Sequence, residues 1–111
     1  RCRMKSYLFV ESEGAFASAE APRFFALART LARQGAKVEI MLTQNGVTAA
    51  RAGARADGIR AALDAGIPVV ADAFSMKERA LRAEELTRGI SPVSIRTVVE
   101  RMAQGWNVVW N

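Results

Sequence analysis

The chain has no histidine and one cysteine, Cys2, among 111 residues. Without an imidazole, neither a Ser-His-Asp nor a Cys-His arrangement can be built. One thiol makes no disulfide framework, and one Cys without His assembles no zinc site by the usual ligand spacings. No metal and no cofactor is therefore expected. Long apolar runs are missing as well. Half the residues are hydrophobic, yet no stretch approaches the roughly 18 apolar residues of a membrane-spanning helix. Arg1-Cys2-Arg3-Met4-Lys5 followed by Tyr7-Leu8-Phe9-Val10 has the order of a signal peptide, but the apolar part is too short and Glu11 and Glu13 close it. The expectation is a cytoplasmic protein with no membrane contact. Met4-Lys5-Ser6 makes a natural beginning, so residues 1–5 read as an N-terminal extension or an appended remnant. Residues 6–111 read as one domain.

Acids are the scarcer charge. Sixteen Lys and Arg stand against eleven Asp and Glu, a net charge of +5. That balance favours acidic partners and ligands and permits a nucleic-acid role. The basic residues, however, are spread at helix-surface spacing without interleaved aromatics, the pattern of a solvated surface. A nucleic-acid reading therefore ranks last.

What is present is an alternation of strands and helices. Tyr7 to Val10 is a continuous aromatic and β-favouring run, the mark of a strand covered on both faces. Ala21-Pro22 opens a helix with Pro where its missing N–H costs little. Phe24, Leu27, Ala28, Leu31 and Ala32 form its apolar arc, Arg23, Arg29 and Arg33 its polar one, and Gly35 ends it. Lys37 to Leu42 is the second strand, closed by Thr43-Gln44-Asn45-Gly46, where Asn-Gly tolerates positive φ. Gly53 and Gly58 argue against one long helix from Val47 to Gly66. A short helical turn over 48–52 is predicted instead, then a helix capped by Asp57 that buries Ile59, Ala62 and Leu63.

Ile67 to Asp72 is the third strand and runs into a charged loop, Ala73 to Arg79. A short helix is predicted over 82–86, and a loop or brief strand over 87–90. Ser91-Pro92 reads as the N-cap and first residue of another helix, with Ile95, Val98, Val99 and Met102 on one face. Trp106 to Trp110 is a last strand, its tryptophans serving as core or subunit-interface anchors. This order predicts an α/β fold, a parallel sheet with helices on both faces. Right-handed crossovers then bring the loops after Val10, Leu42 and Asp72 to one edge, where ligands collect in such sheets.

The residues at that edge limit its chemistry. Glu11-Ser12-Glu13-Gly14 lacks the glycine spacing of a dinucleotide fingerprint. Glu11 and Glu13 share a strand face, but a loop pair of acids reads first as solvated. Ser75, Lys77 and Arg79 with free backbone N–H groups are suited to an anion. Cys2, flanked by Arg1 and Arg3, is a candidate nucleophile only as its thiolate, at a terminus prone to fraying.

The chain resembles the DsrE/DsrF-like family of small sulfur-relay proteins from about Tyr7 to Trp110. The features that carry the likeness are Tyr7-Leu8-Phe9-Val10 before a polar loop, Ala32-Arg33-Gln34-Gly35-Ala36-Lys37-Val38, and Leu42-Thr43-Gln44-Asn45-Gly46-Val47. To them are added Asp72 to Leu81 (Asp-Ala-Phe-Ser-Met-Lys-Glu-Arg-Ala-Leu) and Gly105-Trp106-Asn107-Val108-Val109. The resemblance implies a five-stranded parallel sheet with flavodoxin-like layering, and assembly into trimers or hexamers. It also implies DsrE-like partner subunits and, for active members, a persulfide-forming Cys a few residues before an Arg-Gly pair. That Cys hands sulfur to a TusA-like carrier. Here the corresponding position reads Phe74, and the Arg-Gly pair reads Arg79-Ala80. Phe forms no persulfide, so a member without independent sulfurtransferase activity is expected, its pocket lined by Ser12, Gln44, Asn45, Asp72, Phe74, Ser75, Lys77 and Arg79. The alternative is a small-anion or nucleotide-binding module on the same edge.

Overall fold

The computed structural model describes residues 5–14 and 20–111; Cys2 and the rest of the arginine-rich start lie outside them. Five strands form one sheet in the order β4-β3-β2-β1-β5, all parallel. β1 (Ser6–Glu11) is central and pairs along its whole length with β2 (Lys37–Leu42). β3 (Val69–Asp72) and β4 (Ile90–Val93) extend the sheet on one side, and β5 (Asn107–Trp110) borders β1 on the other. Consecutive parallel strands require crossovers, and helices supply most of them. α1 is Ala21–Arg33, α2 Asp57–Asp64, α3 Ala73–Glu78 and α4 Arg96–Ala103.

Strand alternation sorts the core into two unequal layers. Phe9, Ile40, Leu42, Val69 and Ala71 face α1 and α2 in a large cluster. Leu8, Val10 and Met41 face α4 in a small one, with Val98 as α4's single buried residue. The α1 arc differs from its expected position: Leu27 is exposed, whereas Phe25 is buried. The cause is a second neighbour. Phe24 packs edge-on against Phe9, ring centroids 5.0 Å apart, while Phe25 turns to α2 and meets Gly58, where a Cβ would lie 2.8 Å from the ring.

Four local expectations are corrected. Asp57 is not the cap of α2; Ala56 holds that position without a side-chain bond, and Asp57 sits in the first turn. The residues after Asp72 form α3 rather than a loop, with Asp72 as its N-cap. Ser91 and Pro92 belong to β4 rather than to a helix start. An edge strand tolerates Pro because one side of its backbone has no partner to satisfy. The segment after β2 is a 3-10 turn, Gln44–Ala50, and its positive φ falls on Gln44 (50°) rather than on Asn45-Gly46. Gly46 is needed for another reason: a Cβ there would lie 2.3 Å from the Glu11 carbonyl oxygen.

The helix predicted over 82–86 is only a 3-10 turn, Ala83–Glu85. The Arg82 backbone N–H donates to the Glu85 carboxylate, and with the Arg82 and Arg51 guanidinia it holds that carboxyl below its ordinary value.

The thin face is held by charge as well as by packing. Arg101 of α4 donates two hydrogen bonds to Glu39 of β2, at 3.1 and 2.9 Å. Its guanidinium also stacks 4.7 Å from the Trp106 ring centroid. Bidentate, partly buried pairs of this kind are the strong ones. Arg101→Ala is expected to cost about 2 kcal/mol, the scale of hydrogen bonds to charged groups. Urea unfolding checks it, and a loss no larger than that of an exposed arginine would contradict it.

Candidate functional site

The carboxyl ends of β1, β2 and β3 lie side by side, and the polar residues there divide between the two faces of the sheet. On the α4 face, Thr43 follows β2 and Asp72 ends β3. Both are buried, as is Ser75 in α3. The Ser75 hydroxyl lies 2.5 Å from Asp72 Oδ2. The same oxygen accepts from the Ser75 backbone N–H at 3.3 Å and from the Thr43 hydroxyl at 3.3 Å. Ser75 Oγ in turn accepts the Gln44 backbone N–H at 2.8 Å. Asp72 Oδ1 is buried as well and meets no donor. One carboxylate oxygen thus gathers β2, β3 and α3.

Beyond this lock, Arg79 reaches back across the edge. Its Nε and Nη2 donate to Asn45 Oδ1 at 3.1 and 2.9 Å, and its Nη1 to the Ser75 carbonyl at 3.2 Å. Arg79 thereby fixes the 3-10 turn against the end of α3. The next residue, Ala80, has φ 53°, a left-handed conformation that costs a non-glycine residue roughly 1 kcal/mol.

Of the eight expected pocket residues, five are in one hydrogen-bonded group: Gln44, Asn45, Asp72, Ser75 and Arg79. The other three stand apart. Ser12 donates its hydroxyl to the Asn111 carbonyl at 2.9 Å, beside β5. Phe74 is 65% exposed on α3, and Lys77 is exposed on the same helix. The group is therefore a polar network with a buried centre at Asp72 and Ser75 and an exposed rim at Gln44 and Asn45, with Phe74 and Lys77 outside it. A buried serine hydroxyl bonded to a carboxylate, with no imidazole beside it, is a packing element rather than a nucleophile open to substrate.

Glu11 departs from its expected solvated state. It is 2% exposed, and its two oxygens accept from the Glu13 backbone N–H and from the Asn111 side chain, both at 2.8 Å. The sequence signal was its position: Glu11 is the last strand residue on the same face as Phe9. Thr43 was missed for want of any motif around it. Arg29, expected on the solvent arc of α1, is partly buried and lines a cleft. Among the described residues no group of three or more His, Cys, Asp or Glu is placed to hold a metal. No helix among them is long and apolar enough to cross a membrane.

A single-domain α/β chain with an all-parallel five-stranded sheet and a polar lock at its carboxyl edge defines the class. The profile of the DsrE/DsrF-like family matches residues 5–110, and the chain belongs to that family. Its fold is similar to a protein of unknown function, MTH1491, from Methanobacterium thermoautotrophicum, at TM-score 0.81 and 17% identity. That match covers 96% of this chain and 99% of the other. It is similar also to the ychN protein from E. coli, at TM-score 0.86 and 15% identity, over 97% and 100% of the two chains. No curated protein matches the sequence at a significant level.

Asp72→Ala strands two hydroxyls and the Ser75 N–H, and is expected to cost at least about 2 kcal/mol. Ala80→Gly relieves the left-handed residue and is expected to add about 0.5–1 kcal/mol. Denaturant midpoints for the two variants, shifted in opposite directions, check both; a neutral Asp72→Ala would contradict the lock.

Proposed function

We propose that this chain works in intracellular sulfur relay as a docking subunit rather than as a sulfur carrier. One observation carries the reading: residues 5–110, the part that matches the family, contain no cysteine. At the position the resemblance gives to the persulfide thiol stands Phe74, an exposed apolar ring near Lys77 on the same helix. Such a surface suits a protein partner with an apolar contact and an acidic rim, because aromatic anchors dominate interface energetics while rim charges steer approach. The partner class is a TusA-like sulfur carrier or a thiol-bearing DsrE-like subunit.

Assembly belongs to a different surface. α4 and its N-cap residue present Ile95, Val99 and Met102 in one stripe, all exposed, at the i, i+4, i+7 spacing of a single helix face. Trp110 on β5 is exposed too. We assign the contact with further subunits of the same family to this stripe.

The test is titration calorimetry with a TusA-like carrier in its persulfide form. Phe74→Ala is expected to weaken binding about tenfold, a hot-spot truncation, and Lys77→Ala to weaken it less and chiefly at low salt. Equal affinity in the Phe74→Ala variant would remove α3 from the docking surface, and no binding by the unaltered chain would remove the carrier as partner.

A further inference from the structure

On the other face of the same sheet edge, α1, α2 and the ends of β1 and β2 enclose a cleft of about 510 Å³. None of the eight expected pocket residues lines it. Its floor is apolar, made by Phe25, Leu42, Ala49 and Ile59, all of them buried. The size is that of small-molecule sites, which run roughly 300–1,000 Å³.

Five charged residues complete the lining: Glu11, Glu13, Arg29, Arg55 and Asp57. Their needs are unequal. Glu11 already has a donor on each oxygen. Glu13, Arg55 and Asp57 are exposed, and water serves them. Arg29 is partly buried and makes no hydrogen bond or ion pair among the described residues. It lies one helical turn beyond Phe25, on the same face of α1. A guanidinium stays charged at any ordinary pH and is built to grip an oxyanion through two parallel N–H bonds.

We propose that this cleft binds a small organic monoanion with an apolar body, its acid group on Arg29 and its hydrocarbon part over Phe25, Leu42 and Ile59. Arg55 stands at the mouth as a second cation. The charge balance of the lining decides the class. Two guanidinia face three carboxylates, so a polyanion such as a nucleoside triphosphate is repelled several times more than a single negative charge, and that single charge is compensated where it lies on Arg29. The overall charge of +5 raises the local concentration of anions around the molecule. This inference is independent of the sulfur-relay reading, because it uses neither α3 nor α4.

The experiment uses the full chain with anilinonaphthalene sulfonate as fluorescent probe and octanoate as competitor. Saturable probe binding displaced by octanoate is expected. Arg29→Gln is expected to weaken octanoate about tenfold, the scale of one lost charged hydrogen-bond pair. Arg96→Gln, an exposed arginine on α4 at the other face of the sheet, is expected to leave it unchanged. Equal affinity in both variants, or no displacement, would overturn the proposal. A readout that needs no variant is the set of amide chemical shifts on adding octanoate to the unaltered chain. Shifts at Phe25, Arg29 and Ile59 support the cleft, and shifts confined to α4 or absent altogether overturn it.

Discussion

The carboxylate of Asp72 is the constraint on which the edge of this molecule depends. A buried charge is costly unless hydrogen bonds compensate it, and here Oδ2 takes donors from Thr43 and Ser75. Those donors belong to the end of β2 and to the first turns of α3. The Gln44 N–H then bonds to Ser75, and Arg79 ties Asn45 to the end of α3. Supplying donors to one oxygen of this carboxylate therefore aligns three chain segments. It also puts Phe74 outside, because the helix that Asp72 caps turns Ser75 and Met76 inward.

The two faces of the sheet share this edge but differ in how they are covered. α1 and α2 bury a large core and leave a cleft at its rim. Among the described residues α4 is the helix packed on the other face, and a bidentate pair with Glu39 fastens it. A thinly covered face with an apolar stripe on its eight-residue helix is suited to a subunit contact. A deep core with an apolar cleft is what a small ligand needs. The proposed subunit contact and the proposed ligand cleft thus fall on separate surfaces of one short domain.

Much of this was legible in the residues. Continuous apolar runs such as Tyr7 to Val10 specify buried parallel strands, and Gly35 ends α1 as expected, with φ 95°. The errors came where tertiary contact overrides local signals. Ser91-Pro92 has a helix-start pattern, but strand pairing with β3 claims it. Asn45-Gly46 has a turn pattern, yet Gly46 is there for the close approach of Glu11. The side chains of the lock come from segments about thirty residues apart in sequence, Thr43 and Asp72, and no spacing rule connects them. Arg29 looks like any solvent-arc arginine until α2 folds over its face.

The central claim is that this chain carries no transferable sulfur. Intact mass after incubation with a persulfide donor, for the full chain and for Cys2→Ser, tests it most directly. The account predicts that neither protein gains sulfur. A gain in the unaltered chain that disappears in Cys2→Ser would make the N-terminal thiol a displaced carrier and contradict the docking-subunit reading.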